Sequence, residues 1–176
     1  VSMTFDLTVN TTSDDDFIGW VIGYDAGDAT SATGDWLLFD WKQGDQSNGG
    51  CYGYDGLAFS RVQGPVSSSS DMWCHTGAVT EISRANTLGS TGWSDRTTYS
   101  VQVDYSTTAI DVYVDGTLEF SETGSFPTGN FGFYNYSQST VRYSAVTQDV
   151  APPAPEPGTV ALLGLGLMGL RLLRRR

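Results

Sequence analysis

Residues 99–120 read YSVQVDYSTTAIDVYVDGTLEF, and their alternation decides the fold. Tyr99, Val101, Val103 and Tyr105 alternate with Ser100, Gln102 and Asp104; Ile110, Val112 and Val114 then alternate with Asp111, Tyr113 and Asp115. Successive side chains on a strand point to opposite faces, so a period of two predicts strands with one apolar face. The second run stops at Asp115-Gly116, before Thr117, Leu118, Glu119 and Phe120. An Asp-Gly pair tolerates positive φ at both central positions of a two-residue turn, which predicts a tight hairpin.

The same period extends to both sides. Phe5, Leu7 and Val9 alternate with Asp6, Thr8 and Asn10, and further strands are predicted at Asn130 to Tyr136 and Val141 to Val146. Phe17 to Tyr24 and Trp36 to Trp41 are nearly continuous in large apolar residues, the pattern of strands covered on both faces and lying centrally. Asp25 to Asp35, Gly44 to Gly56 and Pro65 to Ser70 read as surface loops. Residues 1–150 contain only three Glu and one Lys, so strong helix formers are scarce. Together these predict an all-β fold: one antiparallel β-sandwich of the jelly-roll kind over residues 1–150.

The 176 residues carry nine Lys and Arg against 20 Asp and Glu, a formal net charge of −11. Residues 1–150 hold Lys42, Arg61, Arg84, Arg96 and Arg142 against every acid except Glu156. Such a body repels phosphate backbones and has no basic stripe, which argues against nucleic acid as a partner. It suits cations, or a solvated surface outside the cell.

Residues 151–158, Ala-Pro-Pro-Ala-Pro-Glu-Pro-Gly, form a proline-rich linker. Residues 159–176 are a separate segment, uncharged from Val160 to Leu170 and ending in Arg171, Leu172, Leu173, Arg174, Arg175 and Arg176. A short hydrophobic helix from Val160 to Leu173 would be about 21 Å long, against a hydrocarbon layer of about 30 Å. The arginines would hold its end on the cytoplasmic side. Pro155-Glu156-Pro157, the short Leu/Gly segment and Arg174-Arg175-Arg176 together resemble the bacterial PEP-CTERM sorting signal. That resemblance implies export, an exosortase-type membrane enzyme as partner and transient membrane association through the tail. It further implies a final place outside a Gram-negative cell, on the outer surface or in exopolysaccharide. Export requires a leader, and Val1 to Thr4 does not supply one, so a signal peptide is expected upstream.

Within the body, Asp14-Asp15-Asp16-Phe17-Ile18-Gly19-Trp20, Gly23-Tyr24, Trp41-Lys42-Gln43, Trp73-Cys74-His75-Thr76-Gly77 and Gly92-Trp93-Ser94-Asp95-Arg96 occur in order. This series, continued by Phe131-Gly132-Phe133 and Ser137-Gln138, resembles the thrombospondin C-terminal domain, a concanavalin A or L-type-lectin-like sandwich. The resemblance implies one further strand upstream, without which a sheet edge would stand open.

Asp14, Asp15 and Asp16 stand between two predicted strands. Unit charges about 6 Å apart repel by roughly 0.7 kcal/mol in water and about 3 kcal/mol at an effective dielectric of 20. Spacing alone leaves a bound divalent cation and a solvated acidic loop both open; the thrombospondin resemblance implies calcium on this segment. Asp25, Asp28 and Asp35 are weaker metal candidates, better read as solvated turn residues. His75 lacks the ligand spacing of a zinc site and reads as a packed or hydrogen-bonded loop residue.

In an exported protein Cys51 and Cys74 favour a disulfide, with two free buried thiols as the alternative. Tyr52 and Tyr54, flanked by Gly49, Gly50 and Gly53, are the ligand-binding candidates, because aromatic rings outside regular strands can stack on sugars. Trp20 and Trp41 read as core. Glu81, Glu119 and Glu122 do not form the paired-carboxylate pattern of glycoside hydrolases, and no Gly-x-Ser-x-Gly elbow is present, so no catalytic residue is predicted. The expected function is a calcium-binding, lectin-like adhesion or matrix module. A structural biofilm component without a specific ligand and, more remotely, a glycan-cleaving enzyme are the alternatives.

Overall fold

A computed structural model describes residues 1–149; the predicted linker, hydrophobic helix and sorting tail lie outside the described residues. Two five-stranded antiparallel sheets pack face to face. The first has the order β10 (Thr117–Thr123), β9 (Ala109–Val114), β8 (Thr98–Tyr105), β1 (Ser2–Val9), β12 (Val141–Asp149). The second runs β11 (Asn130–Tyr136), β2 (Phe17–Tyr24), β3 (Asp35–Lys42), β6 (Gly56–Gln63), β7 (Val79–Arg84). The fold is the antiparallel, jelly-roll-like sandwich that the alternation predicts.

The inward residues of both sheets interdigitate, as facing pleats must. Phe5, Leu7 and Val9 of β1 and Val101 and Val103 of β8 meet Trp20, Phe39, Trp41 and Phe59. Phe39 stacks on Trp20 with ring centroids 5.2 Å apart and on Phe59 at 4.5 Å. The apolar runs of β2 and β3 are explained by a second cluster on the outer face of their sheet: Val21, Trp36, Leu38, Val62 and Val79, covered by Met72. Both strands lie inside the sheet order, as predicted.

Asp115 (φ 49°) and Gly116 (φ 77°) close the β9–β10 hairpin with both central residues at positive φ. A bulge between Leu118 and Phe120 then reverses the expected facing: Glu119 turns in, 1% exposed, and Leu118 is left out at 38%. β1 is paired on both sides, by β8 and β12.

Two predicted loops carry structure. Pro65 to Ser70 leads into α1 (Ser69–Cys74), started by a capping box in which the Ser68 hydroxyl accepts from Ser70 N and Asp71 Oδ2 accepts from Ser68 N. Gly44 to Gly56 holds a small hairpin of β4 (Gln46–Asn48) and β5 (Cys51–Gly53). Among the described residues no helix is long and apolar enough to cross a membrane.

Candidate functional site

The hairpin and the end of α1 meet because Cys51 of β5 and Cys74 of α1 are joined in a disulfide, Cα to Cα 5.8 Å. That bond frames a cleft of about 450 Å³ lined by Tyr52, Tyr54, Asp45, Asp55, Trp73, His75, Glu81 and Arg84, with Gly89 and Ser90 on a rim beside Arg84. Tyr52 and Tyr54 are 44% and 58% exposed, with ring centroids 4.9 Å apart. Gly53 between them is required by close approach: a Cβ there would sit 2.9 Å from Trp73 Nε1.

The floor is a locked set of charges. His75 ends α1 in the left-handed region (φ 49°), which turns its ring back toward β3 and β7. Its Nε2 bonds Asp40 Oδ2 at 2.9 Å and its Nδ1 bonds Glu81 Oε2 at 2.8 Å. Burial alone would push the imidazole down. The charge and hydrogen bond of Asp40, which is fully buried, together with those of Glu81, outweigh that and raise His75 to about 10.

Burial likewise pushes Glu81 up, but hydrogen bonds from His75 and Arg84 and their charges bring it down to about 2. Arg84 donates Nε and Nη2 to Glu81 at 3.0 Å each, and Nη1 to the backbone oxygens of Asp55 (2.6 Å) and Gly89 (3.3 Å). At neutral pH His75 is therefore a cation, and both of its N–H groups are already donated.

The Gly89–Ser90 rim is set from across the sandwich. The inward Glu119 accepts from Thr87 N at 2.8 Å, Leu88 N at 3.2 Å and the Thr87 hydroxyl, fixing the loop just ahead of the rim. The bulge in β10 thus positions a cleft wall.

The acidic loop lies behind the cleft. One ligand oxygen from each of Asp14, Asp15 and Asp16 falls within 4.8 Å of the others, and Asp16 Oδ1 is buried without a hydrogen-bond partner. Calcium takes six to eight oxygens at about 2.3–2.6 Å, of which this set offers three carboxylates, two of them already facing a lysine ammonium at 3.6 Å. The loop's backbone is already tied down: Asp16 N donates to Gln138 Oε1 (2.8 Å), and Asp16 O accepts from Trp93 Nε1 (3.1 Å).

Lys42, fully buried, places its ammonium 3.6 Å from Asp15 Oδ1 and 3.6 Å from Asp16 Oδ1 and donates to Asp15 O and to Gln46 Oε1 of β4. The same ammonium lies 4.8 Å over Trp73 and 5.4 Å over Phe17. One lysine therefore links the acidic loop, the hairpin and the aromatic floor, and neutralises part of the triplet.

Asp25, Asp28 and Asp35 do not converge. Asp28 Oδ2 accepts from Asp25 N at 2.7 Å, Asp25 Oδ1 accepts from Asn130, and Asp35 takes both oxygens to Arg61 at 2.7 Å. Sequence reasoning did not single out Asp40, Lys42, Arg84 or the cleft role of Glu81. The usable signal was the Cys51–Cys74 pair, since joining those residues sets Tyr52 and Tyr54 beside His75.

Comparisons with known proteins bear on the tail and on the fold. Residues 153–176 match the model of the PEP-CTERM protein-sorting motif, so the tail carries a sorting signal of exported bacterial proteins. No curated protein matches the chain. Among solved structures, the chain is similar to the carbohydrate-binding module CBM66 from Bacillus subtilis at 14% identity and a TM-score of 0.57, covering 82% of this chain and 71% of that one. It is also similar to a tetrameric galectin from the ball sponge Cinachyrella sp. (14% identity, 83% of this chain and 89% of that one, TM-score 0.49). A third is the alginate lyase Aly36B (15% identity, 82% and 67%, TM-score 0.43). At these identities the likeness concerns the sandwich itself, and the chain is an exported, surface-sorted protein with a lectin-like fold.

Proposed function

We propose that this chain is a non-enzymatic carbohydrate-binding module that seats its sugar in the Tyr52/Tyr54 cleft and reaches the cell surface or exopolysaccharide through its tail. The observation that carries the reading is the pair of neighbouring exposed tyrosines held over a floor fixed by a disulfide and an ion network. Exposed rings on a pre-organised wall stack on sugar faces without losing much conformational freedom. The carbohydrate-binding module with the same sandwich supports this reading, and the ordered motifs that resemble the thrombospondin C-terminal domain support a role in adhesion.

The chemistry of the cleft supports binding without bond cleavage. A glycosidase needs a carboxylic acid still protonated at working pH, and neither Glu81, held down to about 2, nor His75, with both N–H groups committed, supplies one. Calcium belongs to the same reading as a clamp held by Asp14, Asp15 and Asp16, where it would stiffen the loop joined through Lys42 to the cleft hairpin. A glycan array probed with the wild type and with Tyr52→Ala and Tyr54→Ala, with and without chelator, tests the proposal. Binding that both variants weaken supports it; a blank array favours a matrix component without a defined ligand.

A further inference from the structure

We propose that the cleft selects a glycan free of acidic groups, read through its hydroxyl donors; this rests on the carbohydrate reading above and names its ligand class. The cations that line the cleft are already spent. His75 gives one ring nitrogen to Asp40 and the other to Glu81. Arg84 has committed four of its five N–H groups to Glu81, Asp55 O and Gly89 O. Asp40, Glu81, His75 and Arg84 therefore cancel in pairs and leave the floor close to neutral. Lys42, just beneath, is fully buried and faces Asp15 and Asp16 instead.

Trp73 Nε1 is buried without a hydrogen-bond partner, and the charge left uncompensated in the cleft is of one sign. Asp45 Oδ1 accepts from Asp55 N at 2.9 Å, while among the described residues Asp45 Oδ2 and both carboxylate oxygens of Asp55 have no hydrogen-bond partner. Both carboxylates line the cleft beside Tyr52 and Tyr54. A sugar hydroxyl meeting a carboxylate donates a charge-assisted hydrogen bond, stronger than one between neutral groups. A uronate or sulfate in the same place meets two unneutralised negative charges and one spare arginine N–H. Like-charge juxtaposition is a discriminating device, and it acts here against acidic glycans. The tyrosine rings add stacking that is indifferent to charge.

The test is binding of the whole protein to immobilised polysaccharides at 50 and 500 mM NaCl. The neutral set is dextran, mannan, galactan and xylan; the acidic set is polygalacturonate, alginate and dextran sulfate. The expected result is retention on at least one neutral polymer, changing less than about twofold with salt, since no ion pair to the ligand is screened. Tyr54→Ala and Asp55→Asn, both at exposed or half-buried side chains, should each weaken that retention by about tenfold, with melting temperature unchanged.

Preferential, salt-sensitive retention on an acidic polymer overturns the selectivity while leaving sugar binding intact. Neutral retention that Asp55→Asn improves overturns the assigned donor readout. Retention on none of the seven removes the carbohydrate reading and this inference with it.

Discussion

Replacing His75 by alanine removes the group that neutralises the most deeply buried acid near the cleft. Asp40 is fully buried, its Oδ2 is held by His75 Nε2 at 2.9 Å, and its Oδ1 has no other partner. Removing one member of a buried pair leaves an uncompensated charge, at a cost of about 3–5 kcal/mol. Proton linkage leads to a similar magnitude. A histidine raised from 6.5 to about 10 corresponds to roughly 4–5 kcal/mol, at about 1.4 kcal/mol for each tenfold gain in proton affinity. Because the folded value is the higher one, this stability is fully present below pH 6.5 and is lost as pH rises through about 10. His75→Ala should therefore melt roughly 6–20 °C below the wild type at pH 6, with the gap closing toward pH 10. Asp40→Asn added to His75→Ala should recover much of the loss, since no charge is then buried. Thermal melts of the three proteins at pH 6, 8 and 10 decide it. A gap under 2 °C at pH 6, or one that is unchanged at pH 10, refutes the network as described.

On the acid side the sign reverses. Glu81 is lowered to about 2, so its contribution is present above pH 4.5 and lost as pH falls through about 2, and the wild-type melting temperature should be highest between about pH 4.5 and 6.5. Cys51→Ser with Cys74→Ser opens a loop with a sequence separation of 23, which should cost about 3.5 kcal/mol by urea unfolding and weaken sugar retention; alkylation before and after reduction reads the bond by mass. Glu119→Ala strips the partner from Thr87 N and Leu88 N, at about 1–3 kcal/mol for each group left unsatisfied, and should loosen the Gly89–Ser90 rim. Calcium added to metal-free protein should give heat in a calorimeter and raise the melting temperature, and Asp14→Asn with Asp15→Asn should abolish both; no heat and no shift would remove calcium from the proposal.

The sandwich was legible because its strands are regular. Period two over residues 99–120 and the nearly continuous apolar runs of β2 and β3 each have one physical cause, burial of one face or of both. The cleft was less legible because its parts are far apart in the chain: Asp40, Tyr52, His75 and Glu81 belong to four different elements. Glu119 illustrates the rest. Alternation puts Leu118 inside and Glu119 outside, and a single bulge exchanges them, a shift that local composition does not announce. Lys42 was obscured in the same way, since a lysine at the end of an apolar strand ordinarily marks solvent.

The position of β1 also governs when the molecule can be assembled. Its ladder partners lie at residues 98–104 on one side and 141–149 on the other, so this interior strand pairs only with segments made much later in the chain. Closure entropy for such distant pairings must be met before they yield any return, which places the domain among slow folders. The β1–β12 pairing thus waits until residues 141–149 have emerged, and the segment carrying the sorting signal follows directly upon the pairing that completes the sheet.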